Sequence, residues 1–332
     1  MSDQTGVRVP ERTIPFPKSI SSEAQAFLAS LVGPDGLPSN QIGSPAPDDS
    51  AGWREAKARA GEFMTQIYTQ LGAGLRSSVE TIELGGAVVH RATPEGGAPQ
   101  DRAYLDIHGG GLVYGDGEPC RIGARRVADQ HGVSSYAVDY RMPPEHPYPA
   151  ALDDCVAVYR ALLETYAPEK IIVGGASAGG NLAAATILRA RDEGLPMPAA
   201  VVLATPELDL TESGDTFQTN QLIDVMLPRS LMNANLLYAA GHDLSHPYLS
   251  PLFADFSKGF PATFLQSGTR DLFLSNTVRM HRALRRAGVP VELHIFEAMP
   301  HGGFMHAPED KELAMETSRF VAEHWGTKTP KA

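Results

Sequence analysis

Residues 171–185 read IIVGGASAGGNLAAA. A β-branched apolar run meets a cluster of residues with little or no side chain, Ser177 stands among them, and a run of helix formers follows. Gly175-Ala176-Ser177-Ala178-Gly179 fits the pattern G-x-S-x-G between a buried strand and a helix. A sharp turn of this kind holds its central residue at strained backbone angles, and strand and helix approach closely only where the flanking side chains are tiny. Glycine and alanine meet that condition. The plain alternative is a serine in an ordinary Gly-rich loop, and the pentapeptide alone does not separate the two.

Its place in the chain does. Eight short β-rich runs occur in order: SSVETIEL, AVVHRAT, RAYLDIH, VSSYAVDY, KIIVGGA, AAVVLAT, ATFLQSG and VELHIFEA. YLDIH, IIVGG and AVVLAT are apolar on both faces, as strands between two helix layers are, whereas the first two runs alternate like a solvated edge pair. Helical patterns separate most of the runs, so the expected fold class is α/β, with a mixed, mostly parallel sheet. Residues 206–261 interrupt this rhythm with a connection too long for a compact domain unless it carries structure of its own. The N-terminal 55 residues are rich in Pro, Ser and Gly, with a helical pattern in SSEAQAFLASLVG, and AGWREAKARAGEFMTQIYTQLG follows. We expect the long excursion to pack with these N-terminal helices as a cap over the carboxyl edge of the sheet. The corresponding boundaries are 1–55 for the N-terminal cap segment, 56–207 and 248–332 for the core, and 208–247 for the cap insertion.

The 332 residues carry 28 Lys and Arg against 39 Asp and Glu, a formal charge of -11 that repels a phosphate backbone and argues against nucleic acid as partner. With 42% hydrophobic residues the chain can bury a core without staples. Cys120 and Cys155 allow one bridge at most, and we expect two reduced thiols. The N-terminus lacks the basic and apolar regions of a secretory signal, and no stretch approaches the roughly 20 apolar residues of a membrane span. The expectation is a soluble, cytoplasmic protein.

His108-Gly109-Gly110-Gly111 follows the third run, where a backbone free of side chains can turn its N–H groups toward one point and hold a developing oxyanion. The expected donors are Gly110, Gly111 and the N–H of Ala178, with Gly109 and His108 supporting the loop. A serine hydroxyl needs a base, and the base an acid partner. Gly268-Thr269-Arg270-Asp271 ends the seventh run and Pro300-His301-Gly302-Gly303-Phe304 follows the eighth, so Ser177, Asp271 and His301 form the expected triad. With eleven histidines in the chain, coincidence has to be weighed. His242 and His246 have the spacing of a ligand pair but lack a glutamate between them and a third ligand, and we expect no metal. His306, on an expected helix, Asp243 and Asp310 are weaker competitors for the base and acid.

HGGGLVYGDG, YRMPPEHPYPAALDD, GASAGGNLAAA, SPLF and HGGF occur in this order over residues 75–325, which resembles the hormone-sensitive-lipase-like group of α/β-hydrolase serine esterases, bacterial family IV. The resemblance implies an α/β-hydrolase fold with an eight-stranded, mostly parallel sheet flanked by helices, a helical cap, and cofactor-free hydrolysis of small to medium apolar carboxylic esters. It also implies scaffold roles for Glu145, His146, Asp153 and Asp154, and is compatible with a homodimer. Lactone hydrolases share the chemistry and are the alternative. A non-catalytic ligand-binding member is a lesser one, disfavoured because His301 is present. Phe27, Leu28, Met226, Leu227, Leu231, Met232 and Leu236 offer apolar surface in the expected cap. Two departures stand out: Ala176 replaces the Asp or Thr of many members, and Leu272-Phe273-Leu274-Ser275-Asn276 lacks the carboxylates that relatives place after the triad acid. The expectation is a less acidic surrounding for Asp271 and His301.

Overall fold

The computed structural model describes residues 6–40 and 43–327. Eight strands form one sheet: β1 (Ser78–Leu84), β2 (Ala87–Thr93), β3 (Ala103–Ile107), β4 (Ser134–Val138), β5 (Ile171–Ala176), β6 (Ala200–Ala204), β7 (Ala262–Gly268) and β8 (Val291–Phe296). Their order across the sheet is β1-β2-β4-β3-β5-β6-β7-β8. β2 runs antiparallel to β1 and β4, and every other pairing is parallel. The alternating β1 lies at the edge, and the doubly apolar runs lie in the middle, as a sheet covered on both faces requires.

The helices are α1 (Ser22–Ser30), α2 (Ser50–Leu71), α3 (Glu118–His131), α4 (Ala150–Leu163), α5 (Ala178–Asp192), α6 (Thr216–Thr219), α7 (Met232–Ala239), α8 (Leu274–Arg286) and α9 (Pro308–His324). The period of two along each central strand divides the core into layers. Leu105, Ile107, Val173, Leu203 and Leu265 face α4, α5 and α8, while Tyr104, Ile172, Val202 and Phe264 face α9. Cys120 and Cys155 are buried and unpaired, one on α3 and one on α4. Among the described residues no helix is long and apolar enough to cross a membrane.

The sheet reverses direction of growth between β3 and β5, the crevice where an open α/β sheet places its ligands. Above that edge lie the N-terminal segment and the excursion after β6. Ile20, Ala24 and Leu28 pack with Val225, Met299 and Phe304, so α1 and the excursion together cover the loop that carries His301. Trp53 of α2 and Ala234 and Leu237 of α7 close on Val113, just beyond the glycine loop. The side-chain amides of Asn40 and Asn233 stitch the two segments together by donating to the carbonyls of Met226 and Pro45. Only two short helices, α6 and α7, form within 208–247, and the rest is turns.

Candidate active site

Ser177 sits between the last residue of β5 and the first of α5 at φ 57° and ψ −124°, a conformation that L residues rarely adopt. The surrounding glycines make it possible. A Cβ on Gly175 would lie 2.2 Å from the Gly179 carbonyl oxygen, and one on Gly179 would lie 1.9 Å from the Ile107 carbonyl oxygen, so any larger residue would prise α5 off the ends of β3 and β5. The turn is locked further by the backbone: Ser177 N–H donates to the Ala204 carbonyl, and its own carbonyl accepts from Glu207 N–H.

The structure brings Asp271 and His301 to this serine from loops after β7 and β8. His301 Nε2 lies 2.9 Å from Ser177 Oγ, and Nδ1 lies 3.0 Å from Asp271 Oδ1. Asp271 is fully buried and accepts in addition from Ser267 Oγ and from the Phe273 N–H. The Asp271 carboxylate accepts from its other neighbours, so Nδ1 is the ring nitrogen that donates to it and Nε2 is the one that faces Ser177 Oγ. Phe273 sets its ring edge-on to the imidazole at 4.9 Å between centroids.

The glycine loop abuts the serine, since a Cβ on Gly109 would lie 3.2 Å from that of Ser177. Gly110 and Gly111 have φ of 123° and 59°, and the Gly110 carbonyl accepts the N–H groups of Val113 and Tyr114, turning the loop back on itself. Ala178 opens α5, where a helix N–H has no partner within the helix. His108 stacks flat on Tyr140 at 4.0 Å, its Nδ1 lies 2.8 Å from the Gly109 carbonyl, and the Tyr140 hydroxyl donates to the His108 carbonyl. It braces the loop through these contacts.

Two further acids lie buried around the relay. Asp224, buried in the excursion after β6, accepts from the N–H groups of Leu272 and His301. Glu207 is also fully buried beside the turn, and neither of its carboxyl oxygens makes a well-formed hydrogen bond among the described residues. Both acids reached the site from elsewhere in the chain, so the absence of carboxylates directly after Asp271 was no guide. Burial opposes the charged form of His301, but the hydrogen bond and charge of Asp271, with the charge of Asp224, outweigh it and raise its pKa. Ala176 is exposed at the end of β5.

Burial, and then the neighbouring Glu212, push Glu207 up to about 8 from an ordinary 4.5. The folded state therefore keeps a proton that the unfolded chain releases, and stability present below the unfolded value is lost as pH rises toward about 8. Glu207→Gln is expected to flatten that alkaline decline. Thermal melts between pH 5.5 and 8.5 check it, and an equal decline in wild type and variant would contradict the assignment.

Other candidates lie elsewhere. His242 and His246 flank the ring of Tyr148. Two groups of side chains are close enough to share an ion among the described residues, His90 with Cys120 and Asp139, and Asp224 with Asp271 and His301. In the second, both carboxylates already accept N–H donors, which makes it a hydrogen-bonded relay. Asp310 caps the histidine loop by accepting from Phe304 and Ala307 N–H groups, and His306 precedes α9 instead of lying on it, at φ 87°. Leu28 is wholly buried in packing, whereas Leu227 and Leu231 lie against Phe217 and Phe273. Asp154 pairs with Arg141, Asp153 with Arg189 and Glu145 with Arg54, as scaffold residues do.

A serine elbow, a glycine loop and an acid and histidine on later strands of one eight-stranded sheet define the α/β hydrolases as a class. Residues 104–305 match the family model described as alpha/beta hydrolase fold. An acetyl-hydrolase of Streptomyces hygroscopicus is 35% identical over 61% of this chain and 69% of its own, and an esterase of Acinetobacter venetianus is 31% identical over 68% and 76%. Among solved structures, a crystallised esterase has a TM-score of 0.88 at 34% identity, covering 96% of this chain and 99% of its own. A hormone-sensitive-lipase homologue from a metagenome library has 0.76 at 31%, covering 85% and 100%. The chain belongs to the α/β-hydrolase fold family, in its hormone-sensitive-lipase-like branch.

Proposed function

We propose that this carboxylic ester hydrolase works through Ser177 as nucleophile, His301 as general base and acid, and Asp271 as the group that orients and stabilises the imidazolium. The observation that carries the reading is the continuous relay from Ser177 Oγ through both ring nitrogens of His301 to Asp271, set against the glycine loop. Ser177 Oγ attacks the ester carbonyl carbon as its proton passes to Nε2. The tetrahedral oxyanion lies among the N–H groups of Gly110, Gly111 and Ala178. Collapse expels the alcohol, which takes the proton from Nε2 and leaves an acyl-serine. Water then repeats the sequence, releasing the acid and restoring the hydroxyl. No metal or cofactor enters these steps.

Residues 1–55 and 208–247 act as a cap on the core of 56–207 and 248–332, with 1–5, 41–42 and 328–332 lying outside the described residues, and the leucines and phenylalanine packed with Phe273, whose ring meets His301, favour small to medium apolar acyl groups. The relatives named above as esterase and acetyl-hydrolase support the ester reading over the lactone one. A cytoplasmic location and a homodimer rest on the sequence reading and the resemblance alone, and light scattering checks the second. A series of nitrophenyl esters of rising acyl length, run beside seven-membered lactones, tests the substrate class. We expect kcat/KM to peak at short or medium chains and to exceed that for the lactones; a preference for lactones or for long chains would overturn this assignment.

A further inference from the structure

The excursion after β6 delivers more than apolar surface. Asp224 is fully buried, with Oδ2 accepting the Leu272 N–H at 2.8 Å and the His301 N–H at 3.2 Å. Its Oδ1 accepts the N–H groups of Met226 and Leu227 at 3.0 Å each, closing the turn that bears it. One carboxylate thus ties three segments: the residue after Asp271, the backbone of His301 and the excursion itself. Neighbouring contacts act in the same sense. Asn220, four residues earlier, donates from Nδ2 to the carbonyls of Thr269 and Asp271, and Val225 packs with Met299 and Phe304 on either side of His301.

We propose that Asp224 is a positioning residue of the esterase reaction, fixing the acid and base loops to the cap insertion and supplying a second negative charge to the imidazolium of His301. The proposal rests on the triad reading above. Asp224, Asp271 and His301 each present an atom within 4.8 Å of the others, a range at which a carboxylate shifts a histidine pKa by about 1–3 units when little water intervenes. The titratable groups facing His301 are Asp271, Asp224 and Glu207; the charges of the first two oppose loss of the imidazolium proton, whereas Glu207, pushed up to about 8, holds its own proton over the acid limb. Asp224 itself is held up to about 6, by burial first and then by the charge of Asp271, with the charge of His301 and the N–H donors of Leu227 and Leu272 acting the other way.

A residue that merely filled space would affect stability and leave the titration of His301 alone. Asp224→Asn removes the charge and turns an amide NH2 toward N–H donors while conserving volume. We expect kcat to fall about ten- to a hundredfold, as displacement of reacting groups by a fraction of an ångström does. The acid limb of the kcat/KM profile should move about one unit lower, with KM for a short nitrophenyl ester nearly unchanged. Asp224→Glu keeps the charge but moves the carboxylate, and is expected to lower kcat with the acid limb where wild type has it. An unchanged kcat in Asp224→Asn, or a fall with the limb unmoved, overturns the proposal. If that variant does not fold, wild-type kcat in Asp224→Glu overturns it instead. Ser177→Ala assayed in parallel separates the two readings: activity retained there refutes the triad and the proposal that rests on it, whereas activity lost there with an unchanged kcat in Asp224→Asn refutes the role of Asp224 alone.

Discussion

Replacing Ser177 with alanine is expected to lower kcat for ester hydrolysis about a million-fold while thermal unfolding stays close to wild type. The substitution keeps Cβ, so it neither relieves nor adds to the strain at φ 57°, and it removes only the oxygen that His301 serves. His301→Ala should cost nearly as much, and the double variant little more, because a nucleophile and its base act as one unit. Progress curves with a nitrophenyl ester, followed to high enzyme concentration, check all three. Multiplicative losses in the double variant would mean that the two side chains serve separate steps.

Gly110→Ala is expected to lower kcat about a hundred- to a thousandfold with a smaller change in KM. An added Cβ would lie 2.0 Å from the Tyr114 carbonyl oxygen, a backbone atom fixed by the turn that Val113 and Tyr114 complete, and φ 123° is itself a glycine conformation. The loop has to shift, and the proposed oxyanion donors of Gly110 and Gly111 shift with it. Their hydrogen bonds matter most when charge has developed on the substrate oxygen, so the loss falls on turnover and not on binding. Steady-state kinetics over a range of short esters, with circular dichroism to confirm folding, check this; a loss confined to KM would remove the glycine loop from its assigned role.

The eight strands were legible because each is a short apolar or alternating β-rich run bounded by turn residues, and the serine turn because glycine and alanine leave the room that strand and helix need to meet there. The apolar runs of the middle strands marked them as buried, and they are the ones sandwiched between helices. Asp271 and His301 could be placed from their positions after β7 and β8, since the topology brings those ends toward Ser177. The environment of the relay was not legible. Asp224 stands in QLIDVMLP with no motif around it, and its function depends on a turn that exists only because the excursion folds onto the loops after β7 and β8. A lone acid amid apolar residues was the one available signal. Glu207 was hidden likewise by its neighbours, where LATPELDL reads as a strand end and a turn. Of the apolar residues expected to line the cap, Leu28 packs inward and Leu227 and Leu231 pack beside Phe273, a division that helical spacing alone cannot make.

The central claim is that Ser177 becomes acylated, and covalent trapping tests it most directly. The protein is treated with a fluorophosphonate at substoichiometric steps, and residual esterase activity is compared with adduct mass on proteolytic peptides. The account predicts one adduct per chain, carried by Ser177, with activity falling in proportion to its occupancy and no adduct on Ser177→Ala. Full inactivation with the adduct on another residue, or full activity with Ser177 quantitatively modified, would contradict it.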